Sequence, residues 1–456
     1  MPWSRGHANF GVIVATGVSN DLGQQATPSS LEYGHRPPCE PSFTPPFLQA
    51  PTDWPSVWNW IGTARQNALE LFPQACFADL MATHSVVGQR IVILSDPATI
   101  AEVTGSASSN YTLTNMHLRM LAPALGRGVI VAEGESWRRQ RRAAIRIVAA
   151  ANEQHTSTFT DDRIAALITH WRSTPGPVAI QSDLTLLAID LLAAELFHHY
   201  KSVADSRVLD AIGRHRVMIE RADLLDMIGA PPWLSTPRLR RAKRLIGGFD
   251  GDIHEAIRQS SNFSPPADFD AAAQRDLVVN LMSGFESIAT TAVWLLGLIA
   301  THEPLYHWLT DNHLTPSVRV ERMQSAITET LRLYPPLPLV YRQALGDHET
   351  RVGIIPRGAM VCISPYVVQR HAQLWTDPCL FDPKRGMPMA KVSPYIPFGA
   401  GARQCVGRHV GPRIVALIVS TILAHLRPRL HGMFPVPRAG LSLRPATPLM
   451  VAFDHG

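Results

Sequence analysis

The chain has 456 residues, of which 46% are hydrophobic and 17% are charged, and its formal net charge is +5. This composition can bury a substantial core and excludes a disordered chain. The excess of positive charge is mild, and because no basic run is interleaved with aromatic residues, the sequence does not indicate a nucleic-acid partner.

The N-terminal part of the chain predicts little packed structure. Residues 10–18 form an apolar stretch that is too short to span a bilayer, and residues 20–56 are rich in Pro, Ser and Gln. We expect residues 1–50 to be a disordered or loosely packed extension and residues 51–456 to be a single domain. The five cysteines are scattered without zinc-ligand spacing, which favours a reducing compartment and a soluble, cytoplasmic protein. Peripheral membrane contact through Trp54, Trp58, Trp60 or the region of Trp233 stays open.

Helices are predicted to outnumber strands along the rest of the chain. Residues 91–94 (Ile-Val-Ile-Leu) read as a strand, and a turn at residues 95–97 opens a helix at Pro97. An arginine-rich helix starts near Glu135, and residues 158–260 are mostly helical in pattern. A helix over 326–334 is stopped by two prolines, and another follows Arg408. Short strands are expected before residue 366 and around 441–453, so the fold class is mainly α with smaller β-sheets.

The longest apolar segment covers residues 277–300 and is long enough to span a membrane. It carries polar side chains in its first two-thirds, including Asn280, Glu286 and Ser287. A carboxylate inside a bilayer is costly, so we predict a buried helix that crosses a large fold and no transmembrane span.

The segment with the strongest chemical signal is residues 398–407, which combine a cysteine with flanking glycines and an arginine. A thiolate binds metals, and Gly399 and Gly407 let the backbone approach a large flat ligand. Arg403 can pair with an anionic group on that ligand. An iron, a flat ring and carboxylates are the parts of a haem, whereas a lone cysteine is more often an inert core residue.

A second signal is an acid and a base three residues apart on one helix. Glu329 and Arg332 lie in an apolar context, where a buried ion pair needs further partners to offset its desolvation. Arg385 is the candidate third member of this group.

Together these segments resemble the cytochrome P-450 family. Residues 398–407 fit its haem loop, F-x-x-G-x-R-x-C-x-G, at every fixed position; Glu329 and Arg332 fit its E-x-x-R, and Arg385 fits the arginine that completes the triad. Trp137 and Arg141 match the W-x-x-x-R helix. The resemblance covers roughly residues 80–453 and implies the cytochrome P-450 fold, with haem b (iron protoporphyrin IX) as cofactor.

The resemblance also implies roles for individual residues. Cys405 would be the metal ligand, the proximal thiolate that favours O–O cleavage, and Phe398 would shield the sulfur side of the ring. The glycines of the loop would bring its backbone to the cofactor. The expected propionate contacts are Arg403, Arg342, Arg141 and Trp137. The triad would be structural and would support the cysteine loop.

The oxygen-activating helix departs from the family pattern, which ends in an acid and two threonines. Here Gly284 and the acid Glu286 are present, Ser287 replaces the first threonine, and isoleucine replaces the second. A serine hydroxyl can still relay protons, although its rotamer is less fixed. Gly284 is expected to leave room over the ring and to permit a local distortion of the helix.

These features predict a monooxygenase that inserts one atom of O2 into an apolar small molecule, such as a terpenoid, a steroid or a fatty-acid-like compound. Electrons would come from a separate donor of ferredoxin or flavodoxin type, because no flavin module follows residue 453. Arginines 138, 139, 142 and 146 are candidates for its docking surface. The apolar lining is expected from Leu125, Val129, Phe285, Ala289, Leu339 and Val340, with Leu449 as a further candidate. The alternatives are a peroxide-dependent or isomerising haem-thiolate enzyme and a non-enzymatic haem sensor.

Overall fold

A computed structural model describes residues 41–151, 157–199, 201, 266–387 and 392–455, together with short stretches between 224 and 244. These residues all lie in one compact unit, Pro38–Gly456. Most of the predicted N-terminal extension, residues 1–40, lies outside the described residues. The chain joins the domain before the predicted boundary at residue 50, because Ser42 donates a hydrogen bond to Asp382 (2.8 Å) and Phe43 pairs with Phe381.

Helices make up most of the regular structure in the described residues. In chain order they are α1 (Val57–Gln66), α2 (Ala75–Ala78), α3 (Pro97–Thr104), α4 (Asn115–Leu125), α5 (Gly134–Ala150), α6 (Ser157–Ser173), α7 (Ile180–Phe197), α8 (Leu224–Met227), α9 (Ala271–Met282), α10 (Phe285–Thr301), α11 (Glu303–Thr310), α12 (Pro316–Leu333), α13 (Pro365–Val368) and α14 (Val410–His425). Short 3₁₀ turns cover Ala68–Leu71, Ser108–Asn110 and Gly401–Arg403.

The strands form small sheets. They are β1 (Met81–Val86), β2 (Gln89–Leu94), β3 (Tyr111–Thr112), β4 (Val178–Ala179), β5 (Val340–Ala344), β6 (His348–Thr350), β7 (Gly353–Ile355), β8 (Met360–Ile363), β9 (Leu426–Leu430), β10 (Pro437–Ala439), β11 (Leu443–Pro445) and β12 (Met450–His455). Over the described residues, the largest sheet has the order β1-β2-β8-β5-β3; β4-β12-β9 forms a second, and β10-β11 and β6-β7 are hairpins. The prediction of a mainly α fold with smaller sheets is confirmed.

Local sequence explains where several elements begin. The predicted strand and turn near residue 95 are present as β2 and the start of α3, where the Asp96 carboxylate accepts from the Thr99 amide at 2.9 Å and Pro97 occupies the first helical position. Thr315 caps α12 in the same way, and Pro316 follows it. This helix begins ten residues before the predicted segment 326–334 and ends, as predicted, just before the two prolines.

The long apolar segment lies inside the protein and is divided into two helices. In Ala271–Thr301, 78% of the most apolar stretch is buried, as a core helix requires. The break between α9 and α10 falls at Ser283 and Gly284, where the amide of Gly284 bonds to Leu281 and the amide of Ser287 bonds to Gly284 three residues earlier. Such tightened turns mark a local distortion of a helix. α10 packs against α7, α12 and α14 and forms the centre of the main core.

Candidate active site

The loop that carries Cys405 is held by its own backbone. The Cys405 amide donates to the carbonyl oxygen of Phe398 at 2.9 Å, so the chain folds back on itself between these residues. Gly399 and Gly401 have positive φ angles of 71° and 67°. A side chain at Gly401 would meet the carbonyl oxygen of Thr104 at 2.0 Å, because the loop packs directly against α3.

The pKa of the Cys405 thiol is raised by burial, and neighbouring groups offset only part of that rise. Cys405 is exposed as a residue, yet enough protein surrounds its sulfur for burial to raise the pKa of the thiol. The amide N–H of Gly407 and the guanidinium groups of Arg141 and Arg408 act in the opposite direction and lower that pKa. Arg408 was not among the predicted site residues, although it lies three positions after the cysteine.

A group of cations lies beside the loop. Arg403 donates to the carbonyl oxygen of Ala132 at 2.7 Å, and its guanidinium carbon lies 4.9 Å from the ring centre of Trp137. Burial and the charge of Arg403 lower the pKa of Arg342 to about 10, whereas Glu133 raises it. Burial, together with Arg141, also lowers the pKa of Arg403. The structure thus brings the four predicted propionate contacts close to one another, and the positive charges of the three arginines disfavour each other.

The loop that receives Arg403 is fixed to α9. The Asp276 carboxylate accepts from the Arg127 amide at 2.7 Å, and the Asn280 side chain accepts from the Ile130 amide at 3.0 Å and donates to the Leu125 carbonyl at 2.8 Å. These two side chains are four residues apart, so they share one face of the helix. Residues 126–132 are therefore clamped between α9 and the cationic group.

His117, at the start of α4, belongs to the same region and had no signal in the sequence. One of its ring nitrogens lies 3.4 Å from the carbonyl oxygen of Ile130. Burial, together with Arg342 and Arg403, lowers its pKa to about 4. The ring is therefore neutral at neutral pH, which limits the positive charge gathered here.

The structure brings Glu329, Arg332 and Arg385 together. Arg332 forms a two-pronged pair with Glu329, at 2.7 and 2.8 Å, and both side chains are fully buried. Arg385 donates to the same carboxylate at 3.2 Å. Arg332 also donates to the carbonyl oxygens of Gln369, Pro378 and Leu380. The additional partners that a buried pair needs are thus present.

Gln369 links this triad to the cysteine loop. Its side-chain nitrogen donates to the carbonyl oxygens of Leu331 and Arg332, at 3.1 and 2.9 Å, and its oxygen accepts from the Ile396 amide at 2.9 Å. Gln369 is fully buried. In the sequence, Gln369 is visible only as a glutamine where many cytochromes P-450 have histidine. Its linking role is not visible there, because its side-chain contacts are with backbone groups far away in the chain.

The predicted oxygen-activating residues lie at the start of α10. Ser287 is exposed, whereas Ile288 and the following residues are buried. The Glu286 carboxylate accepts a hydrogen bond from the Ser442 hydroxyl at 2.7 Å. A side chain at Gly284 would contact Leu192 of α7, at 3.5 Å. Gly284 therefore lies at the distortion and close to α7, and its expected role over the ring stays a prediction.

Three partly buried side chains pack against one apolar cluster: Met120 and Leu125 of α4, and Leu441 of the turn between β10 and β11. Leu125 was expected to line a substrate cavity, and here it is partly buried beside the turn. Leu449 was a further candidate, but it is fully buried and a side chain on Gly297 would lie 2.7 Å from it. Leu449 therefore packs close to α10 in a buried position, and its place in the substrate lining stays a prediction.

The arrangement of residues fits a haem. An accessible thiol with an N–H donor and cations beside it suits an iron ligand, and a buried group of arginines with one carboxylate, Glu133, suits two propionates. Among the described residues, no group of three or more His, Cys, Asp and Glu side chains could hold a metal ion. Cys405 with a cofactor that brings its own metal is therefore the arrangement these residues support.

Comparison with known proteins agrees with this chemistry. The family model for cytochrome P-450 matches residues 48–277 and 270–453, and the chain belongs to this family. It is 29% identical over 352 residues to a cyclooctat-9-en-7-ol 5-monooxygenase from Streptomyces melanosporofaciens, covering 69% of this chain and 74% of the relative. It has the fold of CYP175A1 from Thermus thermophilus, with a TM-score of 0.68 and 20% identity over 89% of this chain and all of that one. For cyanobacterial CYP120A1 with bound retinoic acid the TM-score is 0.65, at 16% identity over 83% and 92% of the two chains.

The family defines the class of enzyme. The chain is a cytochrome P-450 monooxygenase, an oxidoreductase with haem as its cofactor. The family uses O2, apolar substrates and electrons from a redox partner. The alternative of a non-enzymatic sensor is therefore set aside, whereas a peroxide-dependent or isomerising enzyme stays an alternative within the family.

Proposed function

We propose that this chain binds haem b through Cys405 and inserts one oxygen atom from O2 into an apolar molecule of terpenoid, steroid or fatty-acid type. Electrons come from a separate ferredoxin or flavodoxin. The observation that carries the proposal is the Cys405 loop, in which the thiol lies beside the Gly407 amide and Arg141. When bound, the haem supplies the activation of oxygen.

The surrounding residues hold the cofactor. Arg403 and Arg342 offer buried positive charge to the propionates, and Trp137 contacts the face of the Arg403 guanidinium. Binding of two carboxylates offsets the burial and the mutual repulsion that lower the pKa values of these arginines. Gly407 and Arg141 reduce the cost of a negative sulfur. The carbonyl oxygen of Phe398 accepts the Cys405 amide and so holds the loop. Its side chain is proposed to cover one side of the loop.

Glu286 and Ser287 are proposed to deliver protons. Ser287 is exposed at the start of α10, so its hydroxyl can exchange protons with a bound molecule or with water. Glu286 is a carboxyl group one residue away that can replace the proton. The distortion of the helix at Gly284 precedes both residues and so affects the positions of their side chains.

The substrate side is proposed to be the apolar cluster of Met120, Leu125 and Leu441. It is made of flexible and branched side chains, which favour apolar ligands of irregular shape. The Streptomyces relative is named for the oxidation of cyclooctat-9-en-7-ol, a cyclic terpenoid, and CYP120A1 was solved with retinoic acid. Both names are consistent with a hydrophobic substrate.

The electron donor is proposed to dock on the arginines of α5. Arg146 is exposed, and Arg139, Arg142 and Arg146 border a groove of about 320 Å³. Part of the expected charge is neutralised, since Glu135 pairs with Arg142 at 3.2 Å and Arg139 pairs with an aspartate of the same groove. The proposed docking surface therefore carries less net positive charge than the sequence suggested.

The first test is the optical spectrum of the reduced protein with CO. A red-shifted Soret band is expected for a thiolate-ligated haem, and Cys405→Ser should abolish that band while haem stays bound. Cys379→Ser is the matched control, because this residue lies outside the loop and should leave the band unchanged. A histidine-type band in the wild type, or a red-shifted band in Cys405→Ser, contradicts the proposal.

The second test is a titration of the oxidised protein with three compound classes: a cyclic diterpene alcohol, a steroid and a long-chain fatty acid. Binding near the iron is expected to shift the Soret band for at least one class. Leu125→Asp should weaken that binding at least tenfold, because it places a charge in the apolar cluster. Equal affinity in wild type and variant would show that substrates bind elsewhere.

The third test addresses the donor surface. Arg146→Glu should slow reduction by a surrogate ferredoxin and weaken its dependence on salt, while the CO spectrum stays normal. Arg438→Glu is the control, since Arg438 lies on β10 and bonds to the carbonyl oxygens of Arg65 and Gln66. An equal loss in both variants would assign the effect to overall charge.

A further inference from the structure

The acid of α10 is held by a hydroxyl group from a distant hairpin. Ser442 lies in the turn between β10 and β11 and donates to Oε1 of Glu286 at 2.7 Å, across 156 positions of the chain. Ser442 is 6% exposed, so the bond lies away from bulk water. A hydrogen bond to a charged acceptor in such a place is stronger than one at the surface.

The helix itself does not direct Glu286 toward Ser287. Neighbouring residues on an α-helix point about 100° apart and do not face each other. Ser287 is exposed, whereas Glu286 is partly buried and bonded to the hairpin. The bond from Ser442 therefore constrains the orientation of the carboxyl group from outside α10.

The hairpin is rigid enough to set that orientation. Asn67 accepts from the Ala439 amide at 2.9 Å and donates to the Pro437 carbonyl at 3.0 Å, which fixes β10. The Trp294 indole of α10 donates to the Leu443 carbonyl at 3.0 Å, which fixes β11 beside the same helix that carries the acid. The turn between the two strands thus has a defined position relative to α10.

We propose that Ser442 is a positioning residue for Glu286. Its hydroxyl holds one carboxyl oxygen toward the hairpin and so fixes the direction in which the group gives and receives a proton. The proton that Glu286 passes on is replaced from water, and Ser442 keeps its own. This inference rests on the proposed role of Glu286 in proton delivery.

One experiment tests the contact without enzyme activity. The infrared difference spectrum between the wild type and Glu286→Ala isolates the carboxylate band of Glu286. Ser442→Ala is expected to shift this band, whereas Ser442→Thr, which keeps a hydroxyl, should leave it in place. An unshifted band in Ser442→Ala overturns the proposal.

A second experiment tests the consequence for proton transfer. Consumption of NADPH and release of hydrogen peroxide are followed in H2O and D2O with saturating surrogate ferredoxin and its reductase. Ser442→Ala is expected to slow consumption on the order of tenfold and to change the solvent isotope effect, since a misdirected acid loses part of its catalytic advantage. Ser442→Thr should restore both values.

Thr447→Ala is the matched control, because it removes an exposed hydroxyl just after the same hairpin and leaves that of Ser442 unchanged. It should have a normal isotope effect. In the Glu286→Ala background, Ser442→Ala should have no further effect. An isotope effect in Thr447→Ala equal to that of Ser442→Ala, or an additive loss in the double variant, would overturn the positioning role. Failure of the proposed function is seen separately, as a missing thiolate band in the CO spectrum of the wild type.

Discussion

Gln369 offers a direct test of how the buried triad supports the cysteine loop. Replacement by Met keeps the size of the side chain and removes its three hydrogen bonds. The carbonyl oxygens of Leu331 and Arg332 and the amide of Ile396 then lose a partner inside the protein. Each buried group left unpaired costs about 1–3 kcal/mol. Since carbonyl oxygens tolerate partial satisfaction, we expect a loss of roughly 3–5 kcal/mol in the free energy of unfolding.

The assay is urea unfolding of the haem-loaded protein, followed by far-ultraviolet circular dichroism and by the Soret band. Gln373→Met is the matched control, because Gln373 bonds to the Ala78 carbonyl through an exposed side chain and should lose less than about 1 kcal/mol. Gln369→His should fall between the two, since a neutral imidazole supplies one donor and one acceptor.

The same substitution should affect the cysteine loop. Ile396 lies two residues before Phe398, whose carbonyl receives the Cys405 amide. Loss of the Gln369 contact is therefore expected to lower the fraction of reduced, CO-bound protein that has the red-shifted band. If Gln369→Met unfolds within about 1 kcal/mol of Gln373→Met and keeps the full band, the glutamine does not transmit support between the triad and the loop.

Three further outcomes follow from the site. Gly401→Ala should destabilise the protein by more than about 2 kcal/mol in urea unfolding, because Gly401 has a positive φ angle and a side chain there would clash with α3. Gly432 also has a positive φ angle but faces open space, so Gly432→Ala should cost about 1 kcal/mol. Burial lowers the pKa of His117 from 6.5 to about 4, so the unfolded chain binds the proton first as the pH falls. The free energy of unfolding is therefore full above pH 6.5 and falls by roughly 3 kcal/mol towards pH 4. His117→Gln should remove this pH dependence in urea unfolding of the haem-free protein. Arg332→Lys should cost at least about 3 kcal/mol in the same assay, because a single ammonium group lacks the fork that bonds both oxygens of its partner.

Features of the site that depend on local spacing could be predicted from the sequence. The triad begins as an acid and a base three residues apart on a helix, and the structure pairs them. The same holds for the loop from Phe398 to Gly407, where the order of residues alone places an amide near the sulfur. In both cases the neighbours in space are also neighbours in the chain.

Features that depend on distant backbone could not be predicted in this way. Ser442 lies far from Glu286 in the chain, and no pattern links a serine in a turn to an acid on a helix. Gln369 was visible as a departure from the family, but its three partners are backbone groups of two other segments. Side-chain patterns carry no information on which carbonyl or amide groups a fold leaves unpaired.

The expected positions of Gly284 and Leu449 around the cofactor stay predictions. A side chain at Gly284 would contact Leu192 on α7, and Leu449 packs close to Gly297. Burial alone does not separate core residues from cavity residues, so the sequence pattern could not assign these two positions.

The polar residues of α9 and α10 bond to groups outside their own helices. On α9, Asp276 and Asn280 hold the loop that receives Arg403, next to the cations expected to meet the propionates. On α10, beyond the break, Glu286 reaches the hairpin through Ser442. Asn280 and Glu286 are two of the residues that argued against a membrane span, and a bilayer would leave them without these partners. Polar side chains in a long apolar segment thus indicate a helix that is buried in protein and bonded to neighbouring segments.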